Sequence, residues 1–394
     1  MSTKPRVRTG LERLASGEAG SELRGARTGL VLHPASVTPD LTLAVDALLA
    51  AGFRVEALFG PQHGARGEKQ DNMIESEHYL DERTGLRVHS LYSEVRKPTP
   101  EMLDGLDALV FDLQDVGVRV YTFVWTRALA MEACAEAGVR FVVLDRPNPI
   151  GGTATEGDVL RSGFESFVGL HPVPLRHGLT AGELARWLVG ARGIGCDLEV
   201  VRMEGWSRDD TWSGTGLPWV LPSPNLPTPE SCLVYPGMVL IEGTDLSEGR
   251  GTTKPFELVG APYLDPFTWA EAVDPADAPG LALRPCWFEP TFQKHAGRRC
   301  GGVQLHVLDA PSVRSVRTAV ALLHAARDLA ADAFSWRLPP YEYEETLMPI
   351  DILWGHAGLR EGIDGGATVD AILESGEEGR EAFRREVEPF LLYA

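Results

Sequence analysis

From residue 28 onward the chain alternates short, nearly continuous apolar runs with stretches of helical period. The runs "TGLVLHP", "FRVEALF", "DALVFDL", "VRFVVLD" and "DLEVVRM" are rich in β-branched residues and short enough for strands. Between them, "TPDLTLAVDALLAAG", "TRALAMEACAEAG" and "TAGELARWLVGA" place apolar residues at helical spacing. Thr38 and Pro39 read as an N-cap and first helical residue, Gly52 as the stop, and Thr180 with Glu183 has the spacing of a capping box. Apolar strands without alternation are those buried on both faces, so residues from about 25 to 205 predict an α/β fold, an open doubly wound parallel sheet. The stretch "WSRDDTWSGTGLPWVLPSPNLPTPE" breaks the pattern with Pro, Trp, Ser and Gly and marks a boundary. Beyond it, "MVLIEGT" and "GGVQLHVLD" look strand-like, while "SVRSVRTAVALLHAARDLA", "ATVDAILESG" and "GREAFRREVEPFLLY" look helical. The expected division is a catalytic domain over residues 1–228 and a smaller α+β domain over residues 229–394.

Composition narrows the function. With 56 acidic against 37 basic residues, a formal charge of −19, the chain repels nucleic acid and anionic membrane surfaces, and neither is expected as a partner. The opening residues lack the apolar core of a secretory signal, and no window reaches about 18 uninterrupted apolar residues, so a cytoplasmic location is expected. The five cysteines, Cys134, Cys196, Cys232, Cys286 and Cys300, are scattered and contain no CxxC pair, which fits small buried hydrophobes in a reducing compartment. Without GxGxxG after the first strand, or any GxxxxGK[ST], HExxH or GxSxG, no nucleotide site, metal site or cofactor is expected.

Ligands of an open parallel sheet bind beyond the carboxyl ends of its strands. Three polar loops fall there: "GPQHGARGE" after "VEALF", "QDVGVRVYT" after "DALVFDL", and "RPNPIGG" after "VRFVVLD". They carry Gln62, His63 and Arg66, then Asp112, Asp115, Arg119 and Tyr121, then Asp145, Arg146 and Asn148. Each group also has a structural reading: a turn around His63, a capping carboxylate at Asp112 or Asp115, a short amphipathic strand at "VRVYT", and an Asx-turn at Asp145 or Asn148. In the second half, "EGTDLSEGRGTTKPFE" gathers Glu242, Asp245, Glu248 and Arg250 around glycines, as a ligand-contacting loop or an ion-paired one. Trp206, Trp212, Trp219 and Tyr235 offer faces for sugar rings or for packing between domains.

The ordered series "GPQHGARG", "VFDLQDVGVRVYTF", "LDRPNPIGG", "FVGLHPVPLRHGLTAGELA", "GLPWVLPSPNLPT", "YPGMVLIEGTDLSEGRGTTKPFELVGAP" and "CGGVQLHV" resembles the NamZ family over nearly the whole chain. The family was once known only as a domain of unknown function. The resemblance implies an exo-acting β-N-acetylmuramidase that releases N-acetylmuramic acid from the non-reducing end of peptidoglycan fragments during cell-wall turnover. It also implies a Rossmann-like first domain with the active site in the cleft before the smaller one. It marks His63, Arg66 and Gly67; Asp112, Gln114, Asp115, Arg119 and Tyr121; Asp145, Arg146 and Asn148; and Ser247, Glu248, Gly249 and Arg250. Typical members read G-P-E-H-G where this chain has Gln62, and commonly carry an asparagine where His33 stands.

An amide donates no proton at neutral pH, whereas glycoside hydrolysis generally requires an acid and a second carboxylate. Three substitutes are expected as alternatives. Glu248 acts as the acid, its pKa raised by burial, with Asp115 or Asp112 assisting; or Glu68, Glu75 or Glu77 folds back; or the substrate's N-acetyl group serves as nucleophile. Arg119, Arg146 and Arg250 are candidates for clamping the lactyl carboxylate, with Arg66, Tyr121, Asp145 and Asn148 also binding substrate. The expected partner is a small muropeptide or amino sugar, with no oligomeric state implied. The alternatives are a non-catalytic sugar-binding protein and a glycosidase for another acidic glycoside.

Overall fold

The computed structural model describes residues 5–67, 69 and 77–394. Among the described residues twelve strands run in chain order: β1 (Arg27–Leu32), β2 (Arg54–Gly60), β3 (Tyr79–Leu80), β4 (Arg87–Ser90), β5 (Ala108–Asp112), β6 (Arg140–Leu144), β7 (Glu156–Val159), β8 (Pro174–Arg176), β9 (Leu198–Val201), β10 (Leu258–Ala261), β11 (Leu281–Phe288) and β12 (Cys300–Val307). Seven form one sheet in the order β3-β4-β2-β1-β5-β6-β9, parallel throughout except for β3. Every apolar run of the first half read as a strand lies in this sheet. Alternate residues of one strand feed opposite faces. Val31, Phe59, Leu109, Phe111 and Phe141 join a core with helices Phe123–Ala137 and Ala181–Arg192. Leu30, Leu32, Leu58, Val110 and Val142 join another with helices Gly10–Ala15 and Ala44–Ala50. Both faces are therefore dry, which explains the unbroken apolar runs.

The capping box forms as expected, Thr180 accepting from the Glu183 N–H while Glu183 reaches back to the Thr180 N–H. The start at Thr38 does not form. Thr38 N–H bonds the Thr42 carbonyl, Val37 bridges Leu43, and Leu41 takes φ 66°, so "TPDLT" closes a loop and the helix begins at Ala44. Gly52 follows that helix at φ 83°, as a stop requires.

In the second half, β10-β12-β11 form an antiparallel sheet. "MVLIEGT" is not a strand. Helix Pro229–Met238 runs on as a 3₁₀ turn over Val239–Gly243, whose residues are buried all round; an apolar run without periodicity does not distinguish the two outcomes. Helix Ser315–Leu329 buries Val316, Ala319, Val320 and Leu323 in the same continuous core as Phe111 and Phe141. The chain end then returns to the first half. Leu392 N–H bonds Glu183, and Tyr393 Oη donates to Asp145 at 2.6 Å.

Candidate active site

The loop after β2 turns at once because Gly60 lies against Ala65: a Cβ at Gly60 would stand 2.7 Å from the Ala65 nitrogen. The turn places Gln62 and His63 at the carboxyl edge of the sheet, with His63 at φ 71°, a conformation that costs a non-glycine residue on the order of 1–2 kcal/mol. Together with Tyr121 and Thr122 from the loop after β5, they line a small cavity of about 40 Å³. Tyr235, Glu242, Arg250, Tyr341 and Glu342 line it from the second half of the chain. Gln62 and His63 also border a cavity of about 230 Å³ that reaches Arg66, Pro222 and Ser223, and Glu342 borders a third of about 390 Å³.

The groups around the small cavity are tightly held. Thr122 Oγ donates to Gln62 Oε1 at 2.6 Å, Gln62 Nε2 donates to Tyr92 Oη at 3.1 Å, and Tyr92 Oη donates to Glu342 Oε2 at 3.3 Å. Gln62 therefore occupies one lone pair of Tyr92 and leaves the phenol facing Glu342. Glu242 accepts from Arg250 at 2.7 Å and from Tyr341 Oη at 2.8 Å. His63 Nδ1 lies 2.8 Å from the Lys69 carbonyl, so this nitrogen carries the proton and Nε2 keeps its lone pair toward Ser223 Oγ, 3.3 Å away. Burial, and secondarily the charge of Arg250, lowers the His63 pKa to about 4, so the ring is neutral at neutral pH.

Glu342 escaped the sequence reading. It lies in the turn Tyr341–Glu344, closed by two backbone bonds of 2.9 Å, with Glu342 at φ 47° and Tyr343 at φ 68°. Such a two-residue turn normally draws Asn or Gly. "YEYE" contains neither, so the composition gives no turn signal; only the strain of two bulky residues at positive φ marks the place.

The other expected residues are arranged differently. Glu248 lies behind Arg250, at 3.2 Å from it and 3.0 Å from Lys294. Burial pushes its pKa up, but Lys294 and Arg250 outweigh burial and hold it below the usual carboxylate range, so the expectation of a raised pKa is corrected. Its loop bends at Gly249, φ 81°, where a Cβ would meet the Leu258 carbonyl at 2.5 Å. Asp112 is locked bidentately to Arg146 at 2.7 and 2.8 Å, both groups buried. Burial raises the Asp112 pKa against the pull of Arg146. Asp115 accepts from Gly117 N–H and pairs with buried Arg127, and Asn148 bonds the Leu179 carbonyl and the Ile150 N–H. Asp145 accepts from Thr180, Gly182 and Tyr393, and burial lifts its pKa to about 6 despite those donors.

Arg119 does not share a face with Tyr121. It turns inward to the Leu353 carbonyl, fully buried, its pKa lowered by burial to about 9, while Tyr121 Oη bonds the Pro222 carbonyl. Of the three clamp candidates only Arg250 lines the small cavity; Arg66, at the larger one, pairs with Asp81. Trp206 meets Tyr393 and Trp212 meets Trp219 edge to face; neither Trp206 nor Trp212 lines the three cavities around Gln62 and Glu342, while Trp212 borders a separate cavity of about 20 Å³ with Arg146 and Gln114. Glu68 and Glu75 lie outside the described residues.

The family models for the N-terminal and C-terminal parts of the exo-β-N-acetylmuramidase NamZ match residues 28–230 and 233–393. The peptidoglycan β-N-acetylmuramidase NamZ of Bacillus subtilis strain 168 is 44% identical over 391 residues, covering 99% of this chain and 92% of that protein. Two crystal structures of DUF1343-family proteins from Bacteroides fragilis are similar over 99% of each chain, with TM-scores of 0.88 and 0.75 at 33% and 28% identity. The chain belongs to the exo-β-N-acetylmuramidase NamZ family.

Proposed function

We propose that the protein is an exo-acting glycoside hydrolase that removes N-acetylmuramic acid from peptidoglycan fragments, with Glu342 and Glu242 as its working carboxyls. The observation that carries this assignment of residues is the strained turn that brings Glu342 into the lining of the same small cavity as Glu242. The two acids have different surroundings, as a division of labour between acid and base requires. Glu242 is held by Arg250 and the Tyr341 hydroxyl, which orient its carboxyl group toward positive charge developing at the sugar ring. Glu342 meets a phenol, Tyr92, which serves both protonation states: it donates to the carboxylate and accepts from the acid. Glu342 then protonates the leaving oxygen as its bond to the anomeric carbon breaks, and water adds to that carbon while returning a proton to Glu342.

Gln62 acts here as a positioning residue. Its amide fixes Tyr92, which a second carboxylate would instead draw away from Glu342 by accepting the phenolic proton. The cavity of about 230 Å³ beside Gln62 and His63 takes the muramic acid ring, with Arg66 at its rim and Arg250 further in to meet the lactyl carboxylate. The small cavity has room for only a few waters and marks the place of the bond that breaks.

No described helix is long and apolar enough to cross a membrane. The five cysteines are free and buried, which supports a reducing compartment and hence a role in recycling small fragments. The division near residue 230 into two units follows the same proposal and is supported by where the two family models meet.

A chromogenic β-N-acetylmuramide and its glucosaminide counterpart test the activity. Release from the muramide alone is expected. Release from the glucosaminide alone overturns the substrate. Binding of the muramide without release from either supports the second reading, a sugar-binding protein, to which the amide at position 62 would then point.

A further inference from the structure

The cavity of about 390 Å³ that Glu342 also borders is lined besides by Ser93, Glu94, Arg96, Phe167 and Tyr343. Its size falls within the range of about 300–1,000 Å³ typical of small-molecule sites. Among the described residues, Glu342 is the one that lines both this cavity and the small one, so the two spaces adjoin at the proposed acid. The strained turn serves both spaces: Glu342 at φ 47° borders the small cavity, and Tyr343 at φ 68° stands on the wall of the larger one with 49% of its surface exposed. The guanidinium of Arg96 lies 4.2 Å from the ring centre of Tyr92, 4.7 Å from that of Tyr343 and 5.6 Å from that of Phe167. It also donates to the Ser93 carbonyl, so the rings and the cation form one braced surface.

We infer that this surface is the leaving-side subsite and that it takes an uncharged N-acetylhexosamine ring, the N-acetylglucosamine that follows muramic acid in a peptidoglycan strand. This rests on the activity proposed above. Tyr343 offers a partly exposed aromatic surface to the apolar face of a pyranose, and Ser166 lines the same cavity as a polar residue. Charge sets the direction of binding. Glu94 and Glu344 outnumber Arg96 around this cavity and disfavour a sugar bearing a lactyl carboxylate, whereas Arg66 and Arg250 border the other two cavities. The acidic ring is therefore directed past Gln62, and the neutral ring lies against Tyr343, with the bond between them at Glu342.

The test compares two substrates of the whole protein. β-N-Acetylmuramyl fluoride has a leaving group too small to reach Tyr343, whereas the disaccharide β-N-acetylmuramyl-(1→4)-N-acetylglucosamine fills the subsite. Tyr343→Ala is expected to lower kcat/KM for the disaccharide about five- to tenfold more than for the fluoride, with Tyr343→Phe restoring most of the difference. Equal losses on both substrates mean that Tyr343 acts only through the turn, and overturn the subsite. A wild-type protein that cleaves neither substrate overturns the activity but leaves the subsite measurable. Saturation-transfer NMR with methyl β-N-acetylglucosaminide then shows transfer to the sugar that Tyr343→Ala abolishes; no transfer from wild type at millimolar sugar overturns the subsite.

Discussion

Two clusters of buried charge occupy the carboxyl edge of the same sheet, and their chemistry separates them. Around Asp112, Arg146, Asp115 and Asp145, the groups are turned on one another: Arg146 closes on Asp112 through two bonds, and Asp145 gathers donors from Thr180, Gly182 and Tyr393. Around Gln62, Glu242 and Glu342, the same kinds of residue border cavities, and strain at His63, Glu342 and Tyr343 is tolerated there. Both clusters are buried and both are polar. Burial of charge therefore does not identify a site; what distinguishes one is polar groups facing free space at the expense of backbone strain. The first cluster holds the loops still, and the second works on what enters.

The sharpest way to break this distinction is Glu342→Gln. The substitution is nearly isosteric and is expected to lower kcat on a β-N-acetylmuramide about 10²- to 10⁴-fold while the thermal midpoint changes little. A large loss of stability with activity retained would place Glu342 in the structural class. Arg146→Ala is expected to do the reverse. Removing the guanidinium leaves the Asp112 carboxylate buried and unpaired, at a cost of about 3–5 kcal/mol in urea unfolding. The double variant Arg146→Met, Asp112→Leu is expected to recover much of that loss, because no lone charge remains. If the double variant is as unstable as the single, the pair is not acting through charge.

The sheet was legible because doubly buried strands carry unbroken apolar runs, and the edge followed from the rule that places ligands beyond the strand ends. Which polar residues of that edge face a cavity was not legible. Asp112 finds its partner 34 residues away, and Arg119 and Tyr121, two residues apart, diverge because the backbone there is a loop and not the alternating strand that "VRVYT" suggests. Glu342 was missed for a different reason: its turn is held by tertiary packing against the residues' own preferences, so no local signal exists. The same loss of local signal hid the helical fate of "MVLIEGT", whose side chains are buried on all sides. Family resemblance marked His63 and Arg250, which border the cavity, together with Asp112 and Asp145, which brace it; ordered motifs record both kinds of residue alike.

Acid sharpens the comparison next. Burial lowers the pKa of His177, beside Asp115 and Arg127, to about 4, and that of His63, at the cavity, also to about 4. In the unfolded chain both titrate near the ordinary value of about 6.5. Between pH 6.5 and 4 the unfolded state thus binds more protons, and the stability present above pH 6.5 is lost as the pH falls through this window. Each ring contributes a slope of up to about 1.4 kcal/mol per pH unit. His177→Asn keeps an acceptor for the Leu179 N–H and is expected to flatten the urea-derived slope by roughly one such increment. The kcat profile of wild type should show no inflection near 6.5 from His63, which stays neutral until about pH 4; an inflection that vanishes in His63→Asn would mean that the cavity is wetter than its geometry indicates.

The smallest expected effect probes whether the bracing cluster touches catalysis at all. Thr180 Oγ accepts from the Glu183 N–H at 3.2 Å and donates to Asp145 Oδ2 at 2.8 Å, so it caps a helix and supplies one of the donors around a buried carboxyl. Thr180→Ala removes both bonds and is expected to cost about 1–2 kcal/mol in urea unfolding. Asp145 retains Gly182 N–H and Tyr393 Oη, which keeps the loop in place, so kcat on the muramide should stay within about twofold, far below the effect expected of a catalytic acid–base group. A kcat loss beyond tenfold at unchanged KM would show that the bracing cluster sets the position of Gln62 and Glu342. The two clusters would then be one site, with its rigid half mistaken for scaffold.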